Sequence, residues 1–179
     1  MAGTTDHQGV VAWTTPFVLR KKFFEVDKQP FLVMLDSLQD PRNVGAIIRS
    51  AYCTGANGII LCDKAAAPIT GTVLKASAGL AEHMDIFIAS SNKEAMLMLQ
   101  KAGYTNYLST LEKAKKISEV PLTLPLCMVI GNEGAGIAKS LLPYGVPVHL
   151  PQRTPDISYN ASVAAGIFLF TIATHNKLI

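Results

Sequence analysis

Short apolar runs alternate with longer amphipathic stretches from about Phe31 to the end of the chain. The apolar runs predict β-strands at residues 31–35, 58–61, 85–89, 104–109, 126–130 and 146–150. The stretches between them predict helices at residues 43–54, 71–81, 92–102, 137–142 and 160–174. Strands that alternate with helices are typical of an α/β domain whose mainly parallel sheet is flanked by helices.

Residues 1–29 break this rhythm, because they are richer in polar, basic and aromatic residues. We interpret them as an N-terminal extension or the remnant of a linker, and residues 30–179 as one globular domain. A chain of 179 residues is long enough to bury one sizeable core, whereas two independent domains would be cramped.

The composition indicates a cytoplasmic protein without a membrane partner. The longest apolar stretch, residues 161–173, is interrupted by Ser162 and Thr171 and is shorter than the ~18 to 20 apolar residues of a membrane span. The first residues have neither the basic nor the apolar part of a secretory signal. The cysteines Cys53, Cys62 and Cys127 form no CxxC pair, so we expect buried thiols and no metal site.

The net charge of +3 is mild, but the basic residues include two clusters, Arg20–Lys22 and Lys113–Lys116. Such clusters are compatible with a partner that has a phosphate backbone. On charge alone, a solvated surface is the favoured explanation of them.

The first candidate segment follows the strand at residues 31–35. Asp40 and Pro41 predict a turn, Asn43 lies in the first turn of the next helix, and Arg49 follows six residues later. Six residues are about 1.7 helical turns, so these two side chains do not share one helix face. Taken alone, an Asx turn and a surface arginine explain the segment.

The second segment is an apolar strand that runs into Gly131-Asn132-Glu133-Gly134 and then a short helix. This order predicts backbone amides close to a ligand at a helix N-terminus. The segment matches neither the phosphate-loop nor the dinucleotide fingerprint. Because Glu133 would repel a pyrophosphate, a neutral or cationic ligand fits better, although a purely structural turn is an equal alternative.

The third segment runs from Leu150 through a proline-containing loop into an alanine-rich helix. Ser158 or Asn160 is the expected N-cap of that helix. The small residues allow close approach of another chain segment, but an ordinary capped core helix also explains them.

In this order, the three segments resemble the signature motifs of the SpoU/TrmH-type RNA 2′-O-ribose methyltransferases of the SPOUT superfamily. The matches are N-x5-R in Asn43–Arg49, G-N/S-E-G in Gly131–Gly134 and S-L-N-V-S in Ser158–Ser162. Residues 75–83 also resemble the family, and the resemblance covers roughly residues 31–175. The third motif departs from the pattern, with Thr154 where relatives usually have glycine and with Tyr159 in place of leucine.

The resemblance implies a C-terminal deep trefoil knot, an exception to the rule that chains are unknotted. It also implies a homodimer whose active site and last helix lie at the interface. The cofactor would be S-adenosylmethionine and the partner RNA, with methyl transfer to a ribose 2′-hydroxyl. Ribosomal RNA of the 23S guanosine type is the first expectation, and transfer RNA is the alternative.

The resemblance also assigns roles to residues. Arg49 takes the catalytic role, in which a guanidinium stabilises a developing alkoxide more easily than it accepts a proton. Asn43 and Glu133 orient the ribose and Arg49. Ser158 and Asn160 hold the cofactor and the reacting centre. The expected cofactor-binding residues are Gly131, Asn132, Gly134, Leu150, Ser158, Asn160 and Ala161.

Three other functions are compatible with parts of the sequence. Thr154 and Tyr159 motivate a catalytically silent RNA-binding relative. The strand-helix alternation could belong to an NAD-dependent oxidoreductase, although the early GxGxxG that such an enzyme needs is missing. A small-molecule binding module without catalysis is the third.

Overall fold

The computed structural model describes residue 9 and residues 15–62, 67–154 and 157–179. In these ranges a parallel sheet has the strand order β3-β2-β1-β6-β4-β7-β5. Its strands are β1 (Phe31–Leu35), β2 (Gly58–Cys62), β3 (Asp85–Ala89), β4 (Thr105–Ser109), β5 (Lys115–Lys116), β6 (Leu126–Ile130) and β7 (Val146–His149). The helices are α1 (Pro41–Cys53), α2 (Gly71–Ala76), α3 (Asn92–Ala102) and α4 (Ala161–His175). Three 3₁₀ segments cover Leu80–His83, Ile117–Glu119 and Lys139–Tyr144.

Alternating side chains of the central strand β1 build the two cores of the domain. Phe31 and Val33 join the apolar cluster that contains buried residues of α1 and α4. Leu32 and Met34 join the opposite cluster, which contains buried residues of α3. Successive residues of a strand point to opposite faces, so an entirely apolar strand indicates a sheet that is covered on both sides. The predicted α/β fold with helices flanking a parallel sheet is therefore confirmed.

Local sequence accounts for the ends of the helices. Asp40 caps α1, because its Oδ1 accepts the amide of Arg42 at 2.8 Å, and Pro41 occupies the first turn. Ser91 caps α3, which ends at Gly103 with a φ of 95°. Asn160 caps α4. Of the two residues proposed for that last cap, Asn160 is therefore the one that fills it.

The predicted strands agree with the observed ones to within one residue at each end, but β5 was not predicted because two lysines carry no apolar signal. The single helix predicted at residues 71–81 is wrong. The chain turns at Ala78 and Gly79, which have positive φ angles of 54° and 81°. Ser77 favours this turn, because its Oγ donates to the carbonyl of Leu74 at 2.9 Å and accepts the amide of Ala81 at 3.3 Å.

The α-helix predicted at residues 137–142 is also wrong, since Lys139–Tyr144 forms a 3₁₀ segment. Two constraints explain this difference. The amide of Ala138 is held at 2.8 Å by Asp36 Oδ2, and Pro143 has no amide to contribute to a regular helix.

Part of the N-terminal segment packs on the sheet. Phe24 is buried and fills the space beside Gly58, where an added Cβ would lie 2.2 Å from the ring. Arg20 donates its amide to Ile86 at 2.8 Å and forms an ion pair with Asp85 at 2.6 Å. Residues 1–8 and 10–14, which belong to the predicted extension, lie outside the described ranges.

The cysteines differ in their surroundings. Cys62 and Cys127 are buried as predicted, whereas the same prediction for Cys53 is wrong, because it is exposed at the end of α1. Burial raises the pKa of the Cys62 thiol to about 12, and the nearby carboxylates of Asp36 and Glu94 add to the rise. The Cys62 thiol is therefore protonated at neutral pH. Within the described ranges, the helices lack the length and apolar character that a membrane span requires.

Gly45 provides a test of the contact between α1 and α2. An added Cβ would lie 2.5 Å from Cβ of Ala76 and 2.7 Å from the carbonyl oxygen of Val73. We expect Gly45→Ala to lower the free energy of unfolding by about 1–3 kcal/mol, because a backbone atom must move, even though alanine favours helices. Urea unfolding measures the difference.

Gly71→Ala is the matched control, since Gly71 also lies in a helix but has no atom within 4 Å of an added Cβ. The control should be unchanged or more stable by up to about 1 kcal/mol. Equal effects of the two substitutions would show that the contact between the helices is not the constraint.

Candidate active site

A cavity of about 340 Å³ lies where the strands β4, β6 and β7 end. Most of its wall comes from three segments that follow these strands along the chain, together with the first turns of α4. In open α/β sheets, ligands bind outside the carboxyl ends of the strands. The lining residues include Ser109–Glu112, Ile130–Gly136, Val148–Leu150, Gln152, Ser158, Tyr159, Ala161, Ala164 and Phe168.

The loop that follows β6 is folded back on itself. Asn132 and Gly136 exchange two backbone hydrogen bonds, at 3.1 and 2.9 Å. Asn132 Oδ1 also accepts the amides of Gly134 and Ala135, at 2.9 and 3.1 Å. One asparagine side chain therefore fixes the shape of the loop from inside.

Gly131 lets the two ends of this loop come together. An added Cβ at Gly131 would lie 2.5 Å from the carbonyl carbon of Gly136 and 2.6 Å from the amide nitrogen of Ile137. Its own amide donates to Ser109 Oγ at 3.1 Å. Only glycine fits this position without moving the backbone.

These contacts correct one expectation from the sequence. The amides of the glycine-rich segment do not belong to the N-terminus of a helix, because no α-helix begins there. The amides of Gly131, Asn132, Gly134, Ala135 and Gly136 all donate to protein atoms. The loop thus contributes shape and side chains to the cavity rather than a row of free donors.

A buried carboxylate anchors the loop from behind. Asp36, at the end of β1, is only 1% exposed. Its Oδ2 accepts the amide of Ala138 at 2.8 Å, and its Oδ1 accepts Ser37 Oγ at 3.0 Å and Asn92 Nδ2. Asn132 Nδ2 donates to the carbonyl of Ser37 at 2.8 Å. These bonds connect the end of β1, the start of α3 and the loop.

Asn43 and Glu133 meet at the edge of the cavity. Asn43 Nδ2 donates to Glu133 Oε1 at 2.9 Å. The two residues are 90 positions apart, so the fold brings the first and second sequence motifs together. This contact fixes the direction of the Glu133 carboxylate.

Arg49 lies apart from this pair. It is exposed on α1, and the described structure gives its side chain no hydrogen bond or ion pair. The neighbouring Ser50 lies against α4, since an added Cβ at Gly166 would be 3.7 Å from Ser50 Oγ. Within the described residues of one chain, Arg49 thus forms no hydrogen bond or ion pair with Asn43 or Glu133.

The third motif contributes unequally to the cavity. Ser158, Ala161 and Leu150 line it. Asn160 does not, because its Oδ1 accepts the amide and hydroxyl of Ser162 at 2.9 and 2.7 Å. The loop before the helix includes Pro155 and Asp156, which lie outside the described residues.

Sequence reasoning missed one wall of the cavity, formed by Ser109–Glu112 after β4 and by His149 on β7. The sequence did contain one general indication that these residues lie near the cavity. Both segments end predicted strands, and parallel strands place their carboxyl ends at the same edge of the sheet. No motif marked these residues, so the sheet order was needed to bring them to the cavity.

The lining is acidic and apolar. Its ionisable side chains are Glu112, Glu133, His149 and Tyr159, and the described residues of the wall include no lysine or arginine. Among the described residues, no group of three or more His, Cys, Asp or Glu side chains could hold a metal ion.

Comparison with known proteins gives this geometry a context. A family model described as the SpoU rRNA Methylase family matches residues 30–170. An uncharacterized tRNA/rRNA methyltransferase from Synechocystis is 34% identical over 176 residues, which cover 93% of this chain and 45% of the relative. A 23S rRNA (guanosine-2′-O-)-methyltransferase from Pseudomonas putida is 31% identical over 171 residues, covering 92% of this chain and 69% of the relative.

Solved structures agree with the sequence comparison. The crystal structure of an AdoMet-bound rRNA methyltransferase from Sinorhizobium meliloti superposes with a TM-score of 0.77 at 27% identity. The match covers 86% of this chain and 61% of that structure. The chain therefore spans about half to two thirds of the length of these proteins.

Asp36→Asn tests whether the buried carboxylate holds the loop. One carboxylate oxygen becomes an amide donor that faces existing donors, so we expect a loss of about 2–4 kcal/mol in the free energy of unfolding. The amide of Ala138 should also exchange with solvent faster, which hydrogen-exchange measurements detect.

Asp40→Asn is the control, because asparagine caps a helix about as well as aspartate. Its free energy of unfolding should change by less than about 0.5 kcal/mol. If Asp36→Asn also left the free energy of unfolding unchanged, and if the amide of Ala138 still exchanged slowly with solvent, the loop would not depend on the carboxylate.

Proposed function

The chain belongs to the SpoU rRNA methylase family, and from this premise we propose that it transfers a methyl group from S-adenosylmethionine to a ribose 2′-hydroxyl of RNA. The observation that carries the proposal is the cavity at the carboxyl ends of β4, β6 and β7, lined by two of the three motifs and touched by the first through Asn43.

The cavity suits this cofactor in size and chemistry. Its volume of about 340 Å³ lies within the ~300–1,000 Å³ of small-molecule sites. Leu111, Leu150 and Phe168 offer apolar surface for a purine ring, and Glu112 and Glu133 offer carboxylates to a cation. S-adenosylmethionine, when bound, supplies a methyl group on a positively charged sulfur, which makes that carbon electrophilic.

The protein's own contribution is positioning and charge stabilisation. Glu133, whose direction is fixed by Asn43, is proposed to orient the substrate ribose and the catalytic guanidinium. Arg49 is proposed to stabilise the negative charge that develops on the 2′-oxygen, since its guanidinium is a poor base. Gly131, Asn132 and Gly134 shape the wall of the cofactor site, together with Leu150, Ser158 and Ala161. Asn160 acts indirectly, as the cap that fixes the start of α4.

We propose that a homodimer brings Arg49 to the active site. Helix α4 exposes Val163, Ile167 and Phe170, which are 51%, 39% and 58% accessible, and a contiguous apolar face of this kind marks a protein interface. Arg49 lies beside Ser50, which touches the same helix. Association through α4 would therefore bury the region around Arg49 and carry its free guanidinium toward the partner's cavity.

A deep trefoil knot at the C-terminal end is part of the same proposal. Two features support it. Strand β6 lies between β1 and β4, out of chain order, and β7 enters between β4 and β5. Helix α4 then returns across the sheet to pack against α1. These two features support the proposal that the C-terminal segment is threaded through an earlier connection.

The proposed partner is ribosomal RNA of the 23S guanosine type, supported by the printed activity of the Pseudomonas putida relative. Transfer RNA is the alternative, consistent with the tRNA/rRNA description of the Synechocystis relative. Lys113 and Lys115 are exposed next to the cavity segment and could meet phosphates, whereas Arg20 is already paired with Asp85. We propose that the protein acts in the cytoplasm.

Arg49→Ala tests the catalytic assignment. With ribosomal or transfer RNA as methyl acceptor, the single-turnover rate should fall by about 100- to 1,000-fold, as for loss of one oxyanion donor. S-adenosylmethionine affinity, measured by calorimetry, should stay within about threefold, since Arg49 does not line the cavity of its own chain.

Arg42→Ala on the same helix is the control and should change the rate by less than about threefold, because its side chain is exposed and Arg42 is not among the residues that line the cavity. A loss below about tenfold for Arg49→Ala would remove the catalytic assignment. A parent protein that releases no heat with S-adenosylmethionine would instead indicate a silent relative, the case that Thr154 and Tyr159 motivate.

Phe170→Glu tests the interface on α4. A charge in the apolar face should convert a dimer to a monomer at micromolar concentration, which sedimentation velocity measures, and methyl transfer should fall with it. Leu97→Glu is the matched control, because Leu97 is 47% exposed on α3, in the helical layer on the other side of the sheet. A parent protein that is monomeric and active would contradict the dimer.

A further inference from the structure

The candidate cavity contains two carboxylates, and they differ in their partners. Glu133 accepts a hydrogen bond from Asn43 at 2.9 Å. Within the described ranges, the carboxylate of Glu112 forms neither a hydrogen bond nor an ion pair. The wall, as far as the structure describes it, contains no lysine or arginine that could neutralise this carboxylate. One negative charge is therefore available to whatever the cavity holds.

The backbone around Glu112 is fixed to the sheet. The amide of Thr110 donates to the carbonyl of Val148 at 3.0 Å, and the amide of Glu112 donates to Thr110 Oγ1 at 3.2 Å. These bonds tie the turn after β4 to β7. The backbone from which the Glu112 side chain extends is therefore fixed beside the cavity.

The nearest cations along the chain do not belong to the cavity wall. Lys113, Lys115 and Lys116 are exposed and do not line it. Lys116 is paired with Glu119 at 3.5 Å. Among the described residues, the other ionisable side chains in the wall are His149 and Tyr159, and neither carries the fixed positive charge of a lysine or arginine.

From this arrangement we infer that Glu112 is a specificity residue, which makes the cavity bind the cationic methyl donor more tightly than the neutral product of its reaction. This inference rests on the proposed function. It adds to the site a residue that lies outside the three sequence motifs. The role of that residue would be to favour replacement of the bound product by new cofactor.

The charge change in the reaction gives the physical reason. Methyl transfer breaks the bond between sulfur and the methyl carbon, leaves the electron pair on sulfur and forms a bond from that carbon to the ribose oxygen. The hydroxyl proton is released to solvent. The sulfonium becomes a neutral thioether, so the attraction to Glu112 is present before transfer and absent afterwards.

The size of the effect follows from Coulomb's law. For unit charges roughly 6 Å apart in water-rich surroundings, the attraction corresponds to about a three- to tenfold change in affinity. It strengthens binding of the ground state and is lost along the reaction, so it does not accelerate the chemical step. Because Glu112 is exposed, the attraction should weaken as salt is added.

Isothermal titration calorimetry on the full chain tests this inference with Glu112→Gln and the matched control Glu119→Gln, which removes an exposed carboxylate outside the cavity. The probes are S-adenosylmethionine, S-adenosylhomocysteine and an analogue with a protonated amine in place of the sulfonium. For Glu112→Gln we expect about three- to tenfold weaker binding of both cations and less than twofold change for the thioether. Glu119→Gln should leave all three affinities within twofold.

A second measurement separates this role from a structural one. The preference of the parent for the cation should shrink between 0.05 and 0.5 M salt, roughly a threefold fall in Debye length, whereas a purely structural role would leave that preference independent of salt. Equal weakening of all three ligands would mean that Glu112 contacts a part common to them, and it would overturn the inference.

The remaining outcomes are also decisive. Unchanged affinities in Glu112→Gln would overturn the role of Glu112 while the proposed function stands. If the parent protein bound none of the three ligands, both the inference and the proposed function would be overturned.

Discussion

The candidate site depends on the hydrogen bonds of one buried carboxylate, that of Asp36, which has no cationic partner among the described residues. Burying a charge costs several kcal/mol unless hydrogen bonds replace its hydration. Asp36 receives these bonds from three places in the chain: the adjacent Ser37, Asn92 at the start of α3 and the backbone of Ala138. The chain can satisfy this charge only if β1, α3 and the segment after β6 come together, so the position of the cavity wall is coupled to folding of the sheet.

Some side chains of the candidate site have their hydrogen-bond partners within the same chain, and one does not. The loop around Asn132 and its contact with Ser37 are self-contained. The pairing of Asn43 with Glu133 is complete as well. Arg49 is the exception, because it is exposed and its charged group has no hydrogen bond or ion pair within the part of the chain that the structure describes. If Arg49 has the proposed catalytic role, its place outside the cavity of its own chain would couple catalysis to assembly.

The sequence predicted the strands well because buried parallel strands are apolar throughout. It failed where side chains compete with backbone hydrogen bonds. Ser77 ends a helix that composition alone would continue, and Asp36 takes the amide with which the helix predicted after Gly136 would begin. The motifs located Glu133 and Asn43, but not Glu112 or His149, which reach the cavity only through the sheet order. Non-local geometry of this kind has no local pattern that reveals it.

The two outer strands of the sheet also determine how copies of this protein can meet. An exposed strand edge offers free backbone groups to another chain and invites aggregation. Along β3, the backbone bridge from Arg20 occupies part of that edge. At the other end, β5 consists of two exposed lysines, whose like charges repel a second copy. Neither edge of the described sheet therefore favours growth into a larger sheet, which leaves helical surfaces as the route to a closed assembly of finite size.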